Sequence, residues 1–131
     1  MSQKHIEIIL MRQLASYLAV PIFLVDPDGN LLFYNEPAES LLGRTFDEAG
    51  EMPMSEWSTI FKQTDERGEP LQPNELPLVQ ALQSRRPAHR AMRITGLDGV
   101  SRRIEVTAFP LEGQGGRVLG AAALFWGLDH E

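Results

Sequence analysis

The stretch from Pro21 to Gly43, PIFLVDPDGNLLFYNEPAESLLG, restricts the fold of this chain more than any other. Ile22 to Val25 form a short apolar run, Asp26-Pro27-Asp28-Gly29-Asn30 holds the proline, aspartate and glycine of a tight turn, and Leu31 to Tyr34 resume as a second apolar run. Two antiparallel strands are predicted. Asn35 then offers a side-chain oxygen to the orphan N–H groups of a helix whose first turn holds Glu36 and Pro37, and Gly43 stands where that helix would end in a left-handed residue. Strand, turn, strand and capped helix in such close succession describe a folding nucleus rather than a reaction centre.

The 131 residues, 43% of them hydrophobic, suit one domain around one core and are too few for two. A net charge of -6 provides no general footprint for nucleic acid and would repel an anionic membrane, so neither is expected as a partner. Cysteine is absent, which removes disulfides, thiolate nucleophiles, cysteine-ligated zinc and iron–sulfur clusters, and fits a cytoplasmic location. The apolar segment from Ile6 to Val25 is broken by Glu7, Arg12, Gln13 and Asp26, so it lacks the run of about 20 residues that a membrane span needs. Nor does it resemble a cleaved signal peptide, because Arg12 splits it.

From His5 to Val20 the spacing predicts a helix, with Ile6, Leu10, Leu14, Tyr17 and Leu18 on one stripe and Ile8, Met11 and Ala15 widening it. That surplus of apolar surface either packs on the chain's own sheet or pairs with a second copy. Ser55 is a candidate cap for a short helix carrying Trp57, Ile60 and Phe61; Thr64 to Gly68 reads as a turn, and Glu69 to Pro73 as an extended connector. Asn74 is expected to cap another helix, with Leu76, Val79 and Leu82 on one face and Leu78 beside them, ending before Arg85-Arg86-Pro87. Ala88 to Thr95, Arg102 to Phe109 and Arg117 to Trp126 then carry the pattern of strands, joined by Gly96-Leu97-Asp98-Gly99 and by Glu112 to Gly116. The last strand is apolar on both faces, which suits a central position covered on both sides.

Few constellations point to chemistry. Asp26, Asp28 and Asn30 imitate the start of a calcium loop, but Leu31 stands where that loop needs glycine and Pro37 where it needs a bidentate carboxylate. Gly113, Gly115 and Gly116 precede a strand rather than opening a helix, so they form a hairpin loop and no phosphate cradle. His5, His89 and His130 lack metal spacing, and no metal or catalytic site is expected. Arg85, Arg86, Arg90 and Arg93 make a local basic cluster, either a solvated edge or a surface for an acidic partner.

Taken together, VDPDGNLLFYNEPAESLLGRT, DERGEPLQPNELPLVQAL, and DGVSRRIEVTAFPL followed by GRVLGAAALFW resemble the opening, central connector and closing hairpin of a PAS domain, over about residues 20 to 128. The resemblance implies an α+β fold: a five-stranded antiparallel sheet, small helices around a pocket on one face, and a helix or partner subunit on the other. It divides the chain into an N-terminal flanking helix over 1–20 and the domain over 21–128, and it implies a sensory and interaction module attached to an output domain or protein. The light-sensing branch of that family uses a cysteine beside a flavin and polar amides on the sheet; here there is no cysteine, and Ile94 and Ile104 stand at two of the amide positions. The haem-binding branch needs an axial histidine on the later helix or nearby, for which His89 is the only candidate. No cofactor is therefore expected. The closing Asp-aromatic/aliphatic-Thr element of many such domains is replaced by Gly127-Leu128-Asp129.

On the phases of these strands, Met92, Ile94, Ile104, Val106 and Phe125, with Ala108, Ala121 and Ala123, point toward the helices bearing Trp57, Phe61, Leu78 and Leu82. Alanines on a central strand either let a helix pack closely or leave a cavity, and an apolar cavity favours a small apolar ligand. A homodimer is expected through Ile6, Leu10, Leu14 and Tyr17 of the first helix, with Leu124 and Trp126 of the outer sheet face. The rival expectation, a small α+β enzyme with a pocket carboxylate as general base, requires a buried Asp or Glu, which the inward positions do not supply.

Overall fold

The computed structural model describes residues 3–127 apart from 98. Asp98 of the expected turn, Leu128 and Asp129 of the closing element, and His130 lie outside the described residues, as do the side chains of His5 and Ile60. The chain forms α1 (Gln3–Ser16), β1 (Ile22–Val25), β2 (Leu31–Tyr34), α2 (Glu36–Leu42), α3 (Phe46–Ala49), α4 (Met54–Ile60), β3 (Lys62–Thr64), α5 (Pro77–Ser84), β4 (Ala88–Thr95), β5 (Ser101–Glu112) and β6 (Val118–Gly127). One antiparallel sheet runs in the order β2-β1-β6-β5-β4-β3. It has six strands rather than five. The addition is β3, whose Gln63 sits opposite Ile94, in a segment too short and polar to show a strand pattern of its own.

The opening stretch folds as its residues dictate. The Asp26 carboxylate accepts the backbone N–H groups of Asp28 and Asn30, both at 2.9 Å, which makes Asp26 to Asn30 a hydrogen-bonded turn. Asn35 caps α2, and the N–H of Gly43, at φ 79°, closes it on Glu39 O. Two later helix starts differ from expectation. Pro53, not Ser55, precedes α4, because its carbonyl already accepts from Glu56 and Trp57. Asn74 lies in a 3-10 turn, Pro73–Glu75, and α5 begins at Pro77, whose missing N–H suits only a first helical position.

β6 pairs with β1 on one side and β5 on the other, so it is central in the sheet; Leu119 to Ala123 and Phe125 are buried, while Trp126 is exposed. At Gly120 it passes so close to β1 that a Cβ would lie 1.9 Å from the carbonyl oxygen of Val25, and φ there is 144°; only glycine fits. The larger core fills the inner face of the sheet under α2, α4 and α5, with Phe23, Tyr34, Trp57 and Phe61 at its centre. A smaller one lies on the outer face, where Ala15 and Met11 of α1 cover Ile22, Leu24 and Ala122. α1 is shorter than the expected His5 to Val20, and it reaches the sheet through the residues that widen its stripe, not through the stripe itself.

Candidate functional site

The inner face of the sheet is built from cross-strand rows, because residues paired across antiparallel strands share a face. Phe23 sits opposite Ala123, which sits opposite Ala108; Val106 faces Phe125, and Met92 faces Ile104. Large side chains flank a row of alanines, of which Ala123 borders a space that is not filled from above. Trp57, Phe61 and Leu78 cross over it from the helical side, with Leu76 and Pro77 at the start of α5. The result is an apolar cavity with about 40 Å³ open to the centres of water-sized molecules.

The walls are held by named contacts. Phe23 packs edge-on to Trp57, with ring centres 5.3 Å apart, and the Trp57 indole N–H donates to Gly29 O at 2.8 Å, which anchors α4 to the β1–β2 turn. Eight of the nine residues expected at a ligand site line the cavity: Trp57, Phe61, Leu78, Met92, Ile94, Ile104, Val106 and Phe125. Leu82 does not. It lies one helical turn beyond Leu78 and packs, half-buried, against the core instead. Ala108 and Ala121 are buried without reaching the space, whereas Ala123 borders it. Phe23, Leu42, Leu76, Pro77 and Gln63 also line it and were missed. Alternation in Ile22 to Val25 could have pointed to Phe23; nothing local marks Gln63, whose place depends on β3 pairing with β4.

Gln63 contributes the one polar side chain of the lining apart from the engaged indole of Trp57. No carboxylate reaches the cavity, so the requirement of the rival enzyme is not met among the described residues. A flavin does not fit either: no thiol is present, Ile94 and Ile104 form wall where amides would be needed, and the space of about 40 Å³ is too small for a fused tricycle. His89 stands on the other face of the sheet, half-exposed. There its Nε2 pairs with Glu105, its Nδ1 meets Thr107 Oγ1 at 2.7 Å, and its ring lies 6.3 Å from that of Trp126. It cannot reach a ligand in the cavity. Arg90 and Arg93 fall on opposite phases of β4, so the basic cluster does not form one surface.

A junction connects cavity and outer face. The buried Asn35 side chain accepts from Ile22 N (3.0 Å) and Ala38 N (3.2 Å), and its amide donates to Ala15 O (3.0 Å), Leu18 O (3.4 Å) and Val20 O (2.9 Å). Ala15 O also accepts from Leu18 N at 3.2 Å, in the tightened last turn that ends α1. Further along α1, Arg12 lies over the rings of Phe33 and Phe46, at 5.1 and 5.7 Å, and Glu7 pairs with Arg117 at 3.0 Å. The outward stripe is left open: Ile6, Leu10, Leu14 and Tyr17 are 45%, 57%, 64% and 80% exposed. Trp126 is 41% exposed, while Leu124 is half covered within the chain.

Comparison with known proteins agrees with this geometry. A family profile described as PAS fold matches residues 16–128. The structure is similar to the PAS domain of a protein from Colwellia psychrerythraea, at 17% identity, covering 93% of this chain and 97% of that one with a TM-score of 0.65. It is also similar to the LOV protein of Rhodobacter sphaeroides (19% identity, 99% and 70% covered, TM-score 0.72). A third likeness is the PAS domain of the fruit-fly ELK potassium channel (10% identity, 94% and 98% covered, TM-score 0.72). At such identities these structures speak for the fold alone. A search of curated protein sequences finds no match.

Proposed function

The chain belongs to the PAS fold family, whose domains typically sense signals, and on that premise we propose that it is a non-catalytic sensing and interaction module. In this reading it binds a small apolar ligand, pairs with a second copy and regulates an attached or partner output protein in the cytoplasm. The observation that carries the reading is the cavity, a small apolar space between the sheet and α4 and α5. Occupancy would press on Phe23, and β1 passes that displacement through Ile22 N to Asn35, whose amide holds the end of α1. A ligand that binds better to one packing of α1 on the sheet would shift the balance between two packings. The open stripe on α1 is the surface through which a second copy would read that shift.

Native mass spectrometry of the purified domain, set against its denatured mass, tests the proposal. The expected result is mass lost on denaturation, or a free dimer whose Trp57 emission changes on titration with toluene. A monomer that carries no added mass and leaves Trp57 unmoved by toluene would sink it.

A further inference from the structure

Gln63 occupies an edge strand, half-buried, with its side chain against the cavity. Its backbone carbonyl is engaged by Leu71 N at 3.0 Å, which fixes where the side chain starts. Among the described residues its amide makes no hydrogen bond, while the other polar side-chain group of the lining, the Trp57 indole N–H, is already given to Gly29 O. A partly desolvated amide facing an otherwise apolar space favours a guest that satisfies it over one that does not. Met92, Ile94 and Ile104 give nothing that could bind a second polar group or a charge, and Phe23, Trp57 and Phe61 supply flat aromatic surface.

Resting on the cavity reading above, we infer that Gln63 is the specificity-determining residue of this site, and that the ligand class is a neutral one-ring compound bearing a single hydroxyl or carbonyl group. The ring lies among the aromatic side chains and the polar atom meets the Gln63 amide. Two polar groups, or any charge, leave one group unpaired in an apolar wall and are rejected.

The test compares phenol with toluene, which match in size and differ in the hydroxyl, by NMR titration of the native domain and of Gln63→Met, a change that conserves length and volume. The expected result is that Gln63→Met weakens phenol roughly five- to tenfold and changes toluene by less than about twofold. Gln63→Glu, which keeps an acceptor for the phenol hydroxyl, retains phenol binding, and this outcome separates recognition from general damage to the edge strand. If both probes bind the native domain and Gln63→Met shifts them equally or not at all, the inference is overturned while the cavity reading stands. If neither probe binds the native domain up to millimolar concentration, the cavity reading fails and takes this inference with it.

Discussion

Tyr34 is a residue whose local sequence says little and whose surroundings decide its chemistry. It is fully buried, stacks on Phe23, and donates its hydroxyl to Arg44 O at 2.9 Å. Burial, helped by Glu39 and Glu48 and opposed by Arg44, pushes its pKa up to about 12. The folded state therefore holds the phenol proton more tightly than the unfolded chain, so the contribution is complete below pH 10 and is lost as pH rises toward 12. The native domain should lose about 2–3 kcal/mol of stability over that window. Tyr34→Phe should cost about 1 kcal/mol at neutral pH and abolish that part of the alkaline loss, read by urea unfolding between pH 7 and 12. An equal alkaline slope in both proteins would contradict the assignment. Gln63 shows the same limit from the other side: as a letter it precedes a turn, and only the partner strand makes it part of a wall.

At the scale of elements, capping chemistry was legible in part, where donor and acceptor lie close in sequence. Asn35 with α2 is such a case, since the cap at Ala38 N is three residues away. The other half of Asn35 was not legible, because Ala15, Leu18 and Val20 reach it only once α1 lies across β1 and β6. Asn35→Ala removes both halves, and the loss should be about 2–4 kcal/mol, with faster amide exchange spreading over residues 15–22. A loss below about 1 kcal/mol, or protection unchanged in that segment, would show that α1 is held by its apolar contacts alone. The misplaced starts of α4 and α5 have a similar origin. Ser55 and Asn74 are good caps in isolation, but Pro53 and Pro77 restrict where a helix can begin, and that restriction wins.

For the whole molecule, the orientation of α1 matters most. Its Met11 and Ala15 face the sheet while Ile6, Leu10, Leu14 and Tyr17 face solvent, a long apolar strip for one short helix to leave open. In the proposed dimer this strip meets its own copy, an arrangement that needs about 1,200 Å² of total buried surface to be stable. Leu10→Glu combined with Tyr17→Lys should leave the unfolding free energy of the single chain within about 1 kcal/mol, because both side chains are mostly exposed, and should convert a dimer to a monomer in analytical ultracentrifugation. A native domain that sediments as a monomer at tens of micromolar would remove the dimer from the proposal.

The sequence by itself determined the opening hairpin, the capped α2, the phases of β4, β5 and β6, and hence Met92, Ile94, Ile104, Val106 and Phe125 among the residues that line the cavity. Each of these rests on short-range rules, a turn, a cap or a period of two, that operate within a few residues. The tertiary structure alone decided that a cavity remains beside Ala123 instead of a filled core, that β3 joins the sheet and brings Gln63 to it, and that Asn35 ties α1 to β1. Those outcomes depend on how side chains distant in sequence fill a shared volume, and the unfilled remainder of that volume is a property of the packed set, not of any one residue in it.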